Sequence, residues 1–229
     1  MRSGSAFVAG VLSVAAGLLL AAPDAAAIEK EDLRNIPAGL EPKVFAFFAK
    51  VPVYYQVTER GDNLVMGENK PVPGVDTGSK YFVLLFVNPD EAERFRLQSE
   101  RRDTVTYVTR ETTLDLILQA QFAKLKQAAS RDDADFVVTD VRLGFPVRIE
   151  YLADSEDAQK PMTDVVWGGH EVPAFVSEVD AVSYQQAAER ASGNSIVRVG
   201  LDFKDFLYRV AVPAARSGTP LVVYGYGAR

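Results

Sequence analysis

His170 is the only histidine of the chain and cysteine is absent, which decides much of the chemistry. A serine triad has one candidate base, a histidine-rich metal site cannot be assembled, and thiolate catalysis and zinc–thiolate sites are excluded. No Gly-x-Ser-x-Gly, phosphate-binding loop or dinucleotide glycine pattern occurs. Carboxylates cluster at Asp132, Asp133 and Asp135 and at Asp154, Glu156 and Asp157. Such pairs can bind calcium or act as acid and base, but neither cluster has the alternating ligands and central glycine of a calcium loop. They read as solvated turns and helix starts. The basic groups Arg101-Arg102 and Lys124-Leu125-Lys126 are too sparse for a lipid-binding patch. Trp167-Gly168-Gly169-His170 has the composition of a binding loop, but its glycines read rather as a bend before the strand at Val172, with His170 a solvated turn residue. The expectation is a protein without catalytic residues, cofactor or metal.

Aromatic side chains are the better supplied resource. Tyr54, Tyr55, Phe82, Phe86, Phe175, Phe203 and Phe206 gather around a pattern that occurs twice, while Phe45, Phe47 and Phe48 precede its first copy. In each copy a Val-Pro-small-aromatic tetrapeptide leads to a β-branched strand and then an acid-headed helix. Val51-Pro52-Val53-Tyr54 leads to the apolar run 81–87 and Asn88-Pro89-Asp90-Glu91. Val172-Pro173-Ala174-Phe175 leads to 195–201 and Asp202-Phe203-Lys204-Asp205. The fold expected is mixed α/β, with two pseudo-repeated halves, about 43–128 and 134–229, each a small sheet with packed helices. Prolines lack the backbone donor, so each Val-Pro strand is expected at a sheet edge or bulge. Core positions claim most aromatics, and a minority can line an apolar groove that holds an extended or amphipathic peptide.

The elements that would position these residues follow from local signals. Residues 28–50 read as helical, broken at Pro42. Strand 52–58 turns into a hairpin with 64–66, and 67–79 is a loop. The run 81–87 reads as a central strand covered on both faces. Asn88 caps the next helix with Pro89 at its first position. A strand follows at 104–109. Thr112 or Thr113 then caps a helix whose stripe is Leu114, Ile117, Leu118, Phe122 and Leu125. Strands are expected at 134–140 and 143–151, and a short helix at 154–158. A helix on the Tyr184, Ala187, Ala188 and Ala191 face closes at Gly193-Asn194, another starts behind Asp202, and the last strand covers 221–226.

The chain has 229 residues, 48% hydrophobic and 24% charged, an ordinary globular composition. Met1-Arg2, the uncharged apolar run 6–22 and Ala25-Ala26-Ala27 read as an export signal cleaved after Ala27, leaving one domain over 28–229 without a membrane span. A formal charge of −6 argues against nucleic acid as the main partner.

The two Val-Pro tetrapeptides, the strand endings at Asn88-Pro89-Asp90 and Asp202, and the segment Thr113-Leu114-Asp115-Leu116-Ile117 resemble the Tic22-like family. The resemblance spans most of 28–229. It implies a non-enzymatic, chaperone-like protein of protein import, binding precursor or outer-membrane protein clients beside a translocon component and using no nucleotide. It also implies a bacterial periplasm, thylakoid lumen or plastid envelope intermembrane space. On this basis Val51, Pro52, Tyr54, Val172, Pro173, Phe175, Phe47 and Phe48 are the candidate client-binding residues. The alternatives are a periplasmic small-molecule binder or hydrolase using a cleft carboxylate, Asp90 or Asp205, and a structural subunit whose grooves bury a partner's helix.

Overall fold

The computed structural model describes residues 33, 35–61, 66–67, 81–126, 135–139, 147–154 and 157–227. The stretch 1–27, most of the loop expected at 67–79, and Asp132, Asp133 and Glu156 lie outside them. In chain order the elements are α1 (Glu41–Ala46), β1 (Pro52–Thr58), β2 (Met66–Gly67), β3 (Tyr81–Phe86), α2 (Pro89–Asp103), β4 (Tyr107–Thr113) and α3 (Leu114–Lys126). There follow β5 (Asp135–Thr139), β6 (Arg148–Asp154), β7 (Asp157–Pro161), β8 (Val172–Phe175), α4 (Glu178–Ser192) and β9 (Ile196–Asp202). A continuous helical run of α5 (Phe203–Phe206), a π-helical turn (Leu207–Ala211) and α6 (Val212–Ser217) precedes β10 (Leu221–Tyr224). This is the mixed α/β fold expected, with two five-stranded sheets among the described residues. No helix among the described residues is long and apolar enough to cross a membrane.

Two compact units are each discontinuous in sequence. Unit 1 holds Val53–Thr112 and Gln121–Pro146, and unit 2 holds Asp32–Pro52, Thr113–Ala120 and Val147–Arg229.

In unit 1, β3 pairs antiparallel with β1 and β2 and parallel with β5. Its apolar run is covered on both faces, since Val83, Leu84, Leu85, Phe86 and Val87 are all buried. Asn88 accepts the Asp90 amide at 2.9 Å and Pro89 opens α2, as the sequence predicts. Arg96 then bridges Glu93 and Glu100, and Glu100 also accepts the Tyr107 amide at 2.9 Å, tying the end of α2 to the start of β4. Buried Gln56 donates to the Ala92 carbonyl at 2.8 Å and accepts from the Thr109 hydroxyl at 3.0 Å, so β1, α2 and β4 share one polar link.

In unit 2 the strand order is β10-β8-β6-β7, with β9 also paired to β6. One face packs on the helical run 203–217. Phe48 lies 5.4 Å from Phe203 and 6.2 Å from Phe206, and Tyr151 lies 6.5 Å from Phe206. The π-helical turn sits just ahead of Pro213, whose ring would clash with the carbonyl four residues earlier in a regular α-helix. On the other face Leu152, Phe175, Ala181, Tyr184, Ala188 and Ile196 form a core beneath α4. The amides of Val223 and Gly225 donate to the carbonyls of Phe47 and Lys50, at 2.8 and 3.1 Å, and so cover the outer side of β10.

Three expectations are corrected. The two Val-Pro strands are not at sheet edges, because β1 lies between β3 and β4 and β8 between β10 and β6. Pro52 is tolerated as the first residue of its strand. Pro173 is tolerated because its missing donor falls opposite Leu152, whose carbonyl accepts the Met162 amide at 2.8 Å instead. Met66–Gly67 pairs with β3 and makes no hairpin with β1. The helix expected at 154–158 is a strand pair, since β6 stays laddered to β9 as far as Asp154 opposite Ile196 and there meets β7. Pairing to a neighbour overrides the helix-start signal of the acids. The strands that follow from the repeat are also wired differently. Strand β1 pairs directly with β3, whereas β8 and β9 both pair with β6.

Candidate functional site

One carboxylate organises the turn between β7 and β8. Asp164 is 6% exposed; its Oδ1 accepts the amides of Val166 and Trp167 at 2.9 and 3.0 Å, and its Oδ2 accepts the Gly169 amide at 2.6 Å. The Asp164 amide donates to the Glu171 carbonyl at 2.8 Å and closes the loop. From α4, the Tyr184 hydroxyl donates to Asp164 Oδ1 and accepts the Val165 amide at 3.3 Å. Gly168 has φ of 73°, where a side chain would be strained. A Cβ on Gly169 would stand 2.5 Å from Glu171 Oε2. The glycines make the bend the sequence predicts.

The bend carries an exposed tryptophan. Trp167 is 37% exposed, and its ring stands edge-on to Tyr184, Tyr224 and Phe175 at 4.6, 5.1 and 6.1 Å. Pairing of Tyr224 with Phe175 across β10 and β8 stacks those two rings at 5.7 Å, and Tyr184 lies 5.3 Å from Phe175. Lys50 Nζ sits 4.8 Å over the Tyr224 ring, while the Tyr224 hydroxyl donates to Glu171 Oε1 at 3.2 Å. Val165, two residues before Trp167, is 43% exposed.

Burial alone would push the Asp164 carboxyl up, but the Trp167 amide, the Tyr184 hydroxyl and the amides of Val166 and Gly169 together hold it below the usual aspartate range. The Tyr184 hydroxyl is pushed well up, first by burial and then by its bond to Asp164. Both groups keep their protonation states through the neutral range, so the platform is fixed. It offers an aromatic face and one cation, with Val165 exposed on the same turn, which suits binding an apolar segment.

Solved structures are similar to this chain at low sequence identity. Anabaena Tic22, described with protein transport, superposes with a TM-score of 0.61 at 14% identity, covering 82% of this chain and 93% of that one. Tic22 from Plasmodium falciparum gives 0.50 at 10% identity, covering 72% and 85%. The fold is Tic22-like. No family model and no curated protein sequence matches the chain.

Within this Tic22-like fold the eight residues expected at the binding surface separate into two sets. Val51, Phe48, Val172 and Phe175 are 0%, 0%, 5% and 1% exposed, and Pro173 is buried too. They build the cores on which the strands rest: β8 is buried along its whole length, and Phe48 packs on Phe203 and Phe206. Pro52, Tyr54 and Phe47 keep partial exposure. Phe175 alone of the eight belongs to the aromatic cluster, as its buried floor.

Trp167, Asp164, Tyr184, Tyr224 and Lys50 were not among the expected site residues. The signal available for Trp167 was the only tryptophan of the chain lying beside two glycines, with an aspartate three residues earlier to bind the turn's amides. Asp90 and Asp205, the candidate cleft carboxylates, are exposed in helical first turns, Asp205 lying 3.9 Å from Arg209. His170 is exposed in the turn.

Proposed function

We propose that this chain serves protein transport as a non-enzymatic, chaperone-like binder, holding apolar or unfolded segments of precursor or outer-membrane proteins beside a translocon component. It works in an exported compartment, a bacterial periplasm, a thylakoid lumen or a plastid envelope intermembrane space. The observation that carries this reading is Trp167, held outward by a turn whose amides are bound by buried Asp164. A large apolar ring kept in solvent by a buried carboxylate and a tyrosine hydroxyl costs solvation and serves contact with another molecule. Support also comes from the likeness in fold to Anabaena Tic22. Pro52, Tyr54 and Phe47 are secondary contact residues.

The experiment is suppression of aggregation of a urea-unfolded outer-membrane β-barrel protein diluted into buffer with the purified chain. The expected result is a slower rise in light scattering, with photo-cross-linking of the client to a probe at Trp167 and weaker protection by Trp167→Ala. Equal aggregation with and without the chain, and no cross-link at Trp167, would overturn the reading.

A further inference from the structure

We infer that the outer edge of β9 accepts an extended client segment as an added strand, and that the segment alternates apolar and polar residues. This rests on the proposed function and names the conformation in which the client is held.

The direction of each backbone group in unit 2 follows from its ladders. The amides of Val172 and Val176 donate to Pro220 and Tyr224, so Phe175 directs its groups the other way, to Glu150 of β6. Leu152, two residues on in β6, points to the same side and accepts the Met162 amide. Ile149, Tyr151 and Ala153 therefore point to β9, where they face Leu201, Val199 and Val197. It follows that Ile196, Arg198 and Gly200 turn their amides and carbonyls outward.

Side chains already occupy part of this edge. Ile196 donates its amide to Glu189 at 3.2 Å and its carbonyl accepts Gln185 at 2.7 Å, while the Gly200 carbonyl accepts Arg148 at 3.0 Å. Between these capped ends the Arg198 amide and carbonyl and the Gly200 amide have no partner among the described residues. One outward residue offering both groups is the unit by which an antiparallel strand pairs. A free amide–carbonyl pair in extended backbone matches the backbone of another extended chain.

The side chains along the edge set the pattern of the guest. Val197, Val199 and Leu201 are partly exposed on one face. On the opposite face Arg198 is paired with Glu150 at 2.9 Å and Glu178 at 3.2 Å. A strand laid alongside meets an apolar row on one face and, on the other, the paired Arg198 between Ile196 and Gly200, so its apolar residues match at alternate positions.

The test uses the isotope-labelled full chain with a synthetic peptide of alternating Val and Thr, and with a peptide of the same composition in blocks. At saturation with the alternating peptide, hydrogen exchange at the Arg198 and Gly200 amides is expected to slow by about tenfold or more. N-methylation of every second peptide amide in one frame should weaken binding about tenfold, and in the other frame leave it unchanged. Peptide binding detected by calorimetry without protection of these two amides would overturn the inference and leave the proposed function standing. Failure of every apolar peptide and unfolded client to bind would remove both. Protection that grows with protein concentration in the absence of peptide would assign the edge to a second copy of the chain and also overturn the inference.

Discussion

The Tyr184 hydroxyl donates to Asp164 Oδ1, tying the middle of α4 to the turn that carries Trp167. Replacing Tyr184 by Phe removes this donor and the acceptor of the Val165 amide, while keeping the ring against Phe175 and Trp167. The expected loss is about 1–2 kcal/mol, read from urea unfolding. Trp167 emission should shift to the red, since this is the only tryptophan. Asp164→Ala frees three turn amides as well and should cost about 3 kcal/mol or more.

Acid should act on the same turn. The Asp164 carboxyl is held below its ordinary value of 3.8 in the folded chain. Its contribution to stability is thus complete above that value and is lost as pH falls through the depressed one. Glu150 has the opposite sign, because burial, only partly offset by Arg198, raises it above its ordinary 4.5. The cost of charging Glu150 is present above its raised value and relieved as pH falls. Urea midpoints taken between about pH 6 and pH 2 should flatten at the acid end in Asp164→Asn. In Glu150→Gln they should lose the relief near and above pH 4.5.

Gly225→Ala tests how tightly the start of β1 meets the end of β10. An added Cβ would stand 2.3 Å from Pro52 Cδ and 3.3 Å from the Lys50 carbonyl, both rigid groups. The expected cost is about 1–3 kcal/mol, measured by thermal unfolding.

In unit 1, Gln56→Ala should cost about 2 kcal/mol, since it empties a buried site and strips the Thr109 hydroxyl of its acceptor. Hydrogen exchange should speed up in β4 and in the first turns of α2.

The sequence was most legible where one residue controls one local bond. Asn88, Pro89 and Asp202 mark the helix starts they were expected to mark, and Asp202 accepts the Asp205 amide at 2.7 Å. The unbroken apolar run of β3 also announced its two covered faces. Pairing partners were not legible, because the same alternation suits any neighbour. Val172-Pro173-Ala174-Phe175 thus suggested an edge, although the Met162 amide removes the reason for one. The platform was harder still to read. Trp167 and Tyr184 were visible in the sequence, but their meeting with Tyr224 and Lys50 depends on strand register and on the bridge between Lys50 and Tyr224.

The amide of Val223 donates to the carbonyl of Phe47, and this bond sets an order of assembly. Unit 2 takes its first strand-covering segment from before β1 and its last strand from residues 221–224. The strands of unit 1 all lie between them in the sequence. A chain that emerges amino end first, from a ribosome or through a membrane pore, can therefore complete the sheet of unit 1 while that of unit 2 still lacks β10. The sheet of the unit that carries Trp167 closes only once residues 221–224 have arrived, so it matures after the sheet of unit 1.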